Sequence, residues 1–263
     1  MKTLKKYYRI WSFFTVNSVA ISLFSRFGAI VFVIGKLIRF LFFLLFLLII
    51  MSKTNSIAGF NLKQTILFYL TFNIIDTVSQ LFLREVYRFR PLVISGNFDL
   101  VLVKPMNPLF RILAGGADPF DLIILIILLI FTFISIQQIP NMQLINILFY
   151  IILCLNGFFI STAFHIMVAA LAILTSEIDH TIMIYRDLTN LGRVPVDIYQ
   201  QPLRFFITFI LPIGVMMTFP AKALMGFLSW QGLAISFLLA IIFLGFGFSL
   251  WRYSLSKYSS ASS

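Results

Sequence analysis

The chain has 263 residues, 60% of them hydrophobic, with 32 Phe and a net charge of +11. Its mean hydropathy is +1.02, whereas soluble domains are about half apolar. This excludes an ordinary soluble domain and points to an all-α polytopic membrane protein, because several runs approach the ~20 apolar residues that cross a bilayer. The basic residues lie in loops between apolar runs, so they read as membrane orientation rather than as a nucleic-acid footprint. The single cysteine, Cys154, cannot form an internal disulfide, and no Cys/His metal spacing exists. Nothing at the N-terminus reads as a cleaved signal.

In chain order, one transmembrane domain is expected over 1–263. Residues 1–26 mix Lys, Arg and aromatics at helical spacing and read as an interfacial helix. Spans one and two fall within 27–84, near Gly28–Met51 and Leu62–Leu83. A polar connection, 85–117, follows. Spans three and four fall within 118–175, near Pro119–Ile139 and Leu144–Leu174. A second polar connection, 176–202, precedes 203–254, which holds span five from Leu203 and span six near Leu228–Trp251. The Ser-rich tail, 255–263, is expected to be disordered. Six spans put both termini on one side. That side then carries fifteen Lys/Arg and the other three, with Lys36 and Arg39 inside the first span. The positive-inside rule makes the termini and both polar connections cytoplasmic.

The stretch "SGNFDLVLVKPMNPLF", Ser95–Phe110, is unusually punctuated. Asn97 is placed to cap a short helix with Asp99 in its first turn. Pro105 biases Lys104 away from helix and should end it. Asn107 and Pro108 restart a helix, with Gly115 available as a stop, and Asp118–Pro119 opens the third span in the same way. Two readings stand. One is a connector with a basic face near anionic lipid. The other is a rigid docking knob whose Leu100, Leu102, Met106, Leu109 and Phe110 fill a partner's groove, with Lys104 and Arg111 at its rim.

This stretch resembles the G-x-x-D-x-x-L-x-[KR]-P-x-x-P-L-F segment of the ABC-2-like permeases, membrane subunits of ATP-driven bacterial export systems. The matching positions are Gly96, Asp99, Leu102, Lys104, Pro105, Pro108, Leu109 and Phe110. "RVPVDIYQQPLRFFITFILPIGVMMTFPAKALMG" is similar to the family's proline-bearing run near the fifth span. The resemblance implies two permease subunits, identical or paralogous, with two separate ABC ATPase subunits docked on a coupling helix within Glu85–Phe110. It implies that ATP and Mg are used by the partner, that this chain binds no cofactor, and that the complex sits in the bacterial cell membrane. In keeping with this, no G-x-x-x-x-G-K-[ST] loop occurs, so the chain itself is expected not to be an enzyme.

Charges inside a span are functional candidates. Counted from the outer ends of their helices, Arg39 and Asp76 fall at similar depth and are expected to pair, as a pin between helices or in cargo passage. His165 is expected to bond between helices, with Asn156, Ser161 and Thr162 sharing that role. Glu177, Asp179 and His180 cluster beyond the fourth span; three ligands on one turn converge poorly, so a charge network is expected over a metal. Pro212 and Pro220 bracket a run too apolar for a free loop. It is expected to re-enter the outer leaflet as a gate, with Met216, Met217 and Phe219 facing a dimer axis, or to pack plainly at the outer interface.

The function expected is export of an amphipathic or hydrophobic cargo. An ion-coupled secondary transporter is the alternative, disfavoured by the absence of an evident internal repeat. A non-transporting scaffold is a third.

Overall fold

The computed structural model describes residues 2–24, 26–139, 142–175 and 179–259, and among them the regular structure is helical throughout. Helix α1 is Lys2–Phe24 and α2 is Arg26–Lys53. Helix α3, Leu62–Leu83, opens on a reciprocal cap: Asn61 accepts from the Gln64 backbone and Gln64 accepts from that of Asn61. A 3-10 turn, Arg84–Arg88, carries α3 into the short α4, Phe89–Ile94; α5, Phe98–Leu102, and α6, Pro108–Leu113, follow. Helix α7, Pro119–Gln137, starts on Asp118, which accepts from Phe120 N at 2.9 Å. Helix α8 is Leu144–Leu174, and α9 is Asp179–Asn190. Helix α10, Leu203–Phe205, runs into wide π turns, and α11 is Phe219–Leu224. Helix α12, Trp230–Lys257, is capped by Ser229, which accepts from Gly232 N at 3.1 Å.

Five of these segments are long and apolar enough to cross a membrane: Ile30–Lys53, Leu62–Ile94, Pro119–Gln137, Leu144–Leu174 and Trp230–Lys257. They differ in burial. The most apolar stretch of Leu62–Ile94 is 72% buried, against 11% for Ile30–Lys53 and 17% for Pro119–Gln137. So α3 is the axis of the bundle, and α2 and α7 are its outer wall. Helix α12 lies along α8. Asn156 of α8 donates to the Ser236 carbonyl at 3.0 Å and to its hydroxyl at 2.7 Å. Further along, Gly247 lets the helices close until an added Cβ would stand 3.1 Å from the Ala163 carbonyl oxygen.

Two ends are defined by contacts. Near the end of α3 at Arg84 lie the 84–117 connection, α1 and the C-terminus of α12, where Tyr258 meets Asp99. The opposite end carries Asn61, Met142 and Ser229. We call these the near and far ends.

The chain after α8 departs from expectation. The second polar connection, 176–202, was expected to stay on the cytoplasmic side, yet residues 179–198 run back along the bundle. The Tyr185 hydroxyl lies 3.1 Å from that of Ser161, and its ring stands 5.2 Å from His165. Arg193 lies over the rings of Phe43 and Phe72. Val196 N donates to Thr218 at 3.3 Å, and Asp197 pairs with Lys222 at 2.6 Å beside the far-end cluster of Leu67, Phe68 and Ala221. Tyr185, Arg193 and Asp197 find partners on the inner side, whereas Arg186 and Asp187 stay exposed, so the segment lies along the bundle without an apolar sequence.

Residues 203–224 then form a V. Its arms, Leu203–Ile210 and Gly214–Leu224, are bent by 76° from a straight course. Pro212 marks the break, since it has no N–H and its ring opposes a continuous helix. Arg204 and Phe205 begin the first arm beside Ser229, and Leu224 ends the second beside Leu67, so both arms open at the far end. Re-entry was expected from Leu211 onward. The re-entrant element instead begins at Leu203, because 179–198 already returns the chain to the far end.

Candidate functional site

The near-end connection is a knob with an inward and an outward face. Phe89, Phe98, Val101, Leu109 and Ile112 are buried against Ile166–Ala172 of α8 and Trp251 of α12. The Phe98 ring stands 5.0 Å from Phe89 and 5.0 Å from Tyr258, whose hydroxyl donates to Asp99 at 3.0 Å. Gly96, at φ +73°, makes the left-handed turn between α4 and α5 that favours glycine. Asn97 does not cap α5; its amide donates to Ser95 at 2.8 Å instead. Asn107 does cap α6, accepting from Leu109 N at 2.9 Å, with Pro108 at the first turn. On the outward face, Ile94, Leu100 and Val103 are 64%, 61% and 79% exposed, beside exposed Leu102, Lys104 and Pro105.

Of the expected docking residues, Leu100, Leu102, Lys104 and Pro105 lie on this tip. Gly96, Asp99, Met106 and Pro108 are half-buried, and Leu109 is buried. Phe110 turns to Tyr7, centroids 4.7 Å apart. Arg111 leaves the rim to pair with Glu85 at 2.8 Å and to lie over Phe14. Sequence reading missed Ile94 and Val103. Residues 98 and 101 share one helical face, and 100 and 103 another. Both faces are apolar, so periodicity alone does not choose the inner one.

Helix α1 grips this connection along its length. Lys6 donates to the Pro105 carbonyl, Asn107 N donates to Tyr7 Oη at 3.0 Å, and Ala117 N donates to Thr15 at 3.1 Å. Gly116, at φ +104°, lies so close that an added Cβ would stand 2.6 Å from the Phe14 carbonyl.

Behind the knob, Asp121 is fully buried and faces Lys36 and Arg84, the latter at 2.8 Å; Arg84 also bridges to Asp118. The expected ion pair between Arg39 and Asp76 is not formed. The two residues do share a wall. A cavity of about 570 Å³ is lined by Lys36 and Arg39 of α2, Asp76 and Gln80 of α3, Arg84, Tyr87 and Arg88 of the 3-10 turn, and Arg186 of α9. Asp121, the third residue of α7, pairs with Lys36 and Arg84, two cations that share this wall with Asp76.

A polar chain backs this cavity. Gln80 donates to Tyr87 Oη at 2.9 Å, and Tyr87 Oη lies 3.3 Å from His165 Nε2. His165 Nδ1 lies 2.8 Å from the Ser161 carbonyl. A carbonyl only accepts, so Nδ1 carries the proton, and Nε2 of the neutral ring accepts from Tyr87. His165, Asn156 and Ser161 thus link segments, whereas Thr162 turns back to Phe158 O on its own helix. The Glu177, Asp179 and His180 cluster lies outside the described side chains.

In the V, Met216 and Met217 are buried inside the chain against Tyr69, Phe72 and Ile160. They pack within the subunit rather than facing a dimer axis, because the second arm is wedged between α3 and α8. Pro212 and Pro220 are buried with them, and Phe219, 9% exposed, reaches a second cavity of about 410 Å³ with Gln201, Arg204 and Ser229. Asp197 holds Arg204 of the first arm and Lys222 of the second.

Neither the comparison with curated proteins nor that with solved structures returns a match. The profile of the family described as "ABC-2 family transporter protein" matches residues 37–262, from within α2 to the C-terminal tail. With that match over most of its length, and with its long apolar helices, the chain belongs to the ABC-2 family of membrane transporter proteins.

Proposed function

We propose that the chain is the permease of an exporter driven by separate ATPase subunits, which dock on the tip formed by Ile94, Leu100, Leu102, Val103, Lys104 and Pro105. In this reading the near end, with both termini, is cytoplasmic, the protein sits in the bacterial cell membrane, and two permease subunits pair above two ATPases that use ATP and Mg. The cargo is amphipathic and moves outward. The V closes the outer end, with Met216 and Met217 seating it and Phe219 at its margin.

One observation carries the reading. The exposed apolar tip is fixed on its inner side to α8 and α12 and flanked by α1. A partner that displaced it would therefore move three long helices together. The test is co-purification from native membranes with Leu100→Asp and Val103→Asp, both on the outward face. The expected result is that an ATPase accompanies the unaltered chain and is lost from the variant, while its thermal unfolding is unchanged. An ATPase retained by the folded variant, or absent from both, would remove the docking assignment.

A further inference from the structure

We infer that the cavity between α2, α3 and α9 is a binding site for an anionic amphiphile, with a phosphate-bearing headgroup inside and an acyl chain along α2. Five of its eleven lining residues are Lys or Arg, and one, Asp76, is acidic. Asp118 and Asp121, behind the wall, occupy Arg84 and Lys36. Glu85 is held by Arg111 at 2.8 Å and lies 3.8 Å from Arg88. Among the described residues, Arg39 and Arg186 form no ion pair. Two positive charges in the cavity are thus outside any ion pair, with Asp76 the one carboxylate in its lining, in a region flanked by apolar helices where an unmatched charge is costly. Guanidinium groups present planar forks suited to phosphate.

The cavity has the size of a small-molecule site. Its margin is apolar: Val31 is 52% and Phe32 37% exposed, and Ile34 and Ile38 continue the same exposed surface along α2. Phe32 also carries Lys36 and Arg84 over its ring. A headgroup among the arginines therefore has a path for a chain beside it. Gly35 lines the cavity, and a Cβ added there meets nothing within 4 Å. A larger side chain at this position would extend into that open space. The inference concerns binding and holds whether or not the ligand is the cargo.

The test uses the full chain in nanodiscs of phosphatidylcholine, titrated with a fluorescent short-chain phosphatidic acid. Phosphatidylcholine bearing the same label and free inorganic phosphate are the other arms. Phosphatidic acid is expected to bind, more tightly than either, and to weaken with salt. Arg39→Ala with Arg186→Ala should weaken it about tenfold or more. Gly35→Leu, which keeps every charge and favours helix, should block it, while Arg252→Ala on exposed α12 should leave it unchanged. Equal binding of labelled phosphatidylcholine, inorganic phosphate as tight as the lipid, or folded Gly35→Leu binding as before would each overturn the assignment.

Discussion

Helix α8 and the segment Asp179–Ile198 are neighbours in sequence and run alongside one another, yet they enter the bundle on opposite terms. Helix α8 is apolar over Leu144–Leu174, with few polar side chains to accommodate. The segment after it carries Arg186, Asp187, Asn190, Arg193 and Asp197 in under twenty residues. It is held along the bundle where Ser161 meets Tyr185, the rings of Phe43 and Phe72 meet Arg193, and Lys222 meets Asp197, while Arg186 and Asp187 stay exposed. Apolar length is thus one way of filling a membrane bundle, and paired polarity is another. The second depends on partners far away in sequence.

That contrast can be tested at graded strength. The largest effect is expected from Gly157→Leu in α8, where an added Cβ would stand 2.6 Å from the Met216 carbonyl oxygen. Backbone cannot step aside, so the V cannot seat; a loss of about 3 kcal/mol or more is expected, read as loss of monodisperse protein in detergent. Next is Asp197→Ala, which strands Lys222 and Arg204. Removing one partner of a buried pair costs about 3 kcal/mol. The sharper form adds Lys222→Met, which should restore part of the melting temperature; no recovery would mean that the segment is held by packing alone. Asn156→Ala removes both bonds to Ser236 and should cost about 1–2 kcal/mol by thermal unfolding, loosening α8 from α12 without moving Asp179–Ile198. The smallest is Tyr185→Phe. It keeps the ring against Phe164, 5.4 Å away, and loses one hydrogen bond, about 1 kcal/mol. A larger loss there would show that hydroxyl pairing, more than ring contact, draws the polar segment inward.

The near-end knob shows the same division on a smaller scale. Asn107, Pro108, Asp118 and Pro119 act locally, and their helix starts were legible residue by residue. Arg39 and Asp76 were placed at a common level by helical rise, and they do line one cavity. They do not pair, and the pair that does form, Asp121 with Lys36 and Arg84, was not legible because it depends on how α7 sits against α2 and α3. Leu100 and Leu102 of the outward face were legible, but Ile94 and Val103 were not, since both faces of a short apolar helix satisfy the same pattern.

The sequence by itself determined the helical class, the bounds of α3 and α8, the proline-punctuated connection and the family, all of which rest on local composition, caps and apolar length. Only the tertiary structure decided that Asp179–Ile198 runs back along the bundle, that the V begins at Leu203, that Met216 and Met217 are core, and that five cations share one cavity. Each of those outcomes depends on which distant side chains become neighbours. In a bilayer a charge settles where a partner or a cavity receives it, and linear spacing does not carry that information.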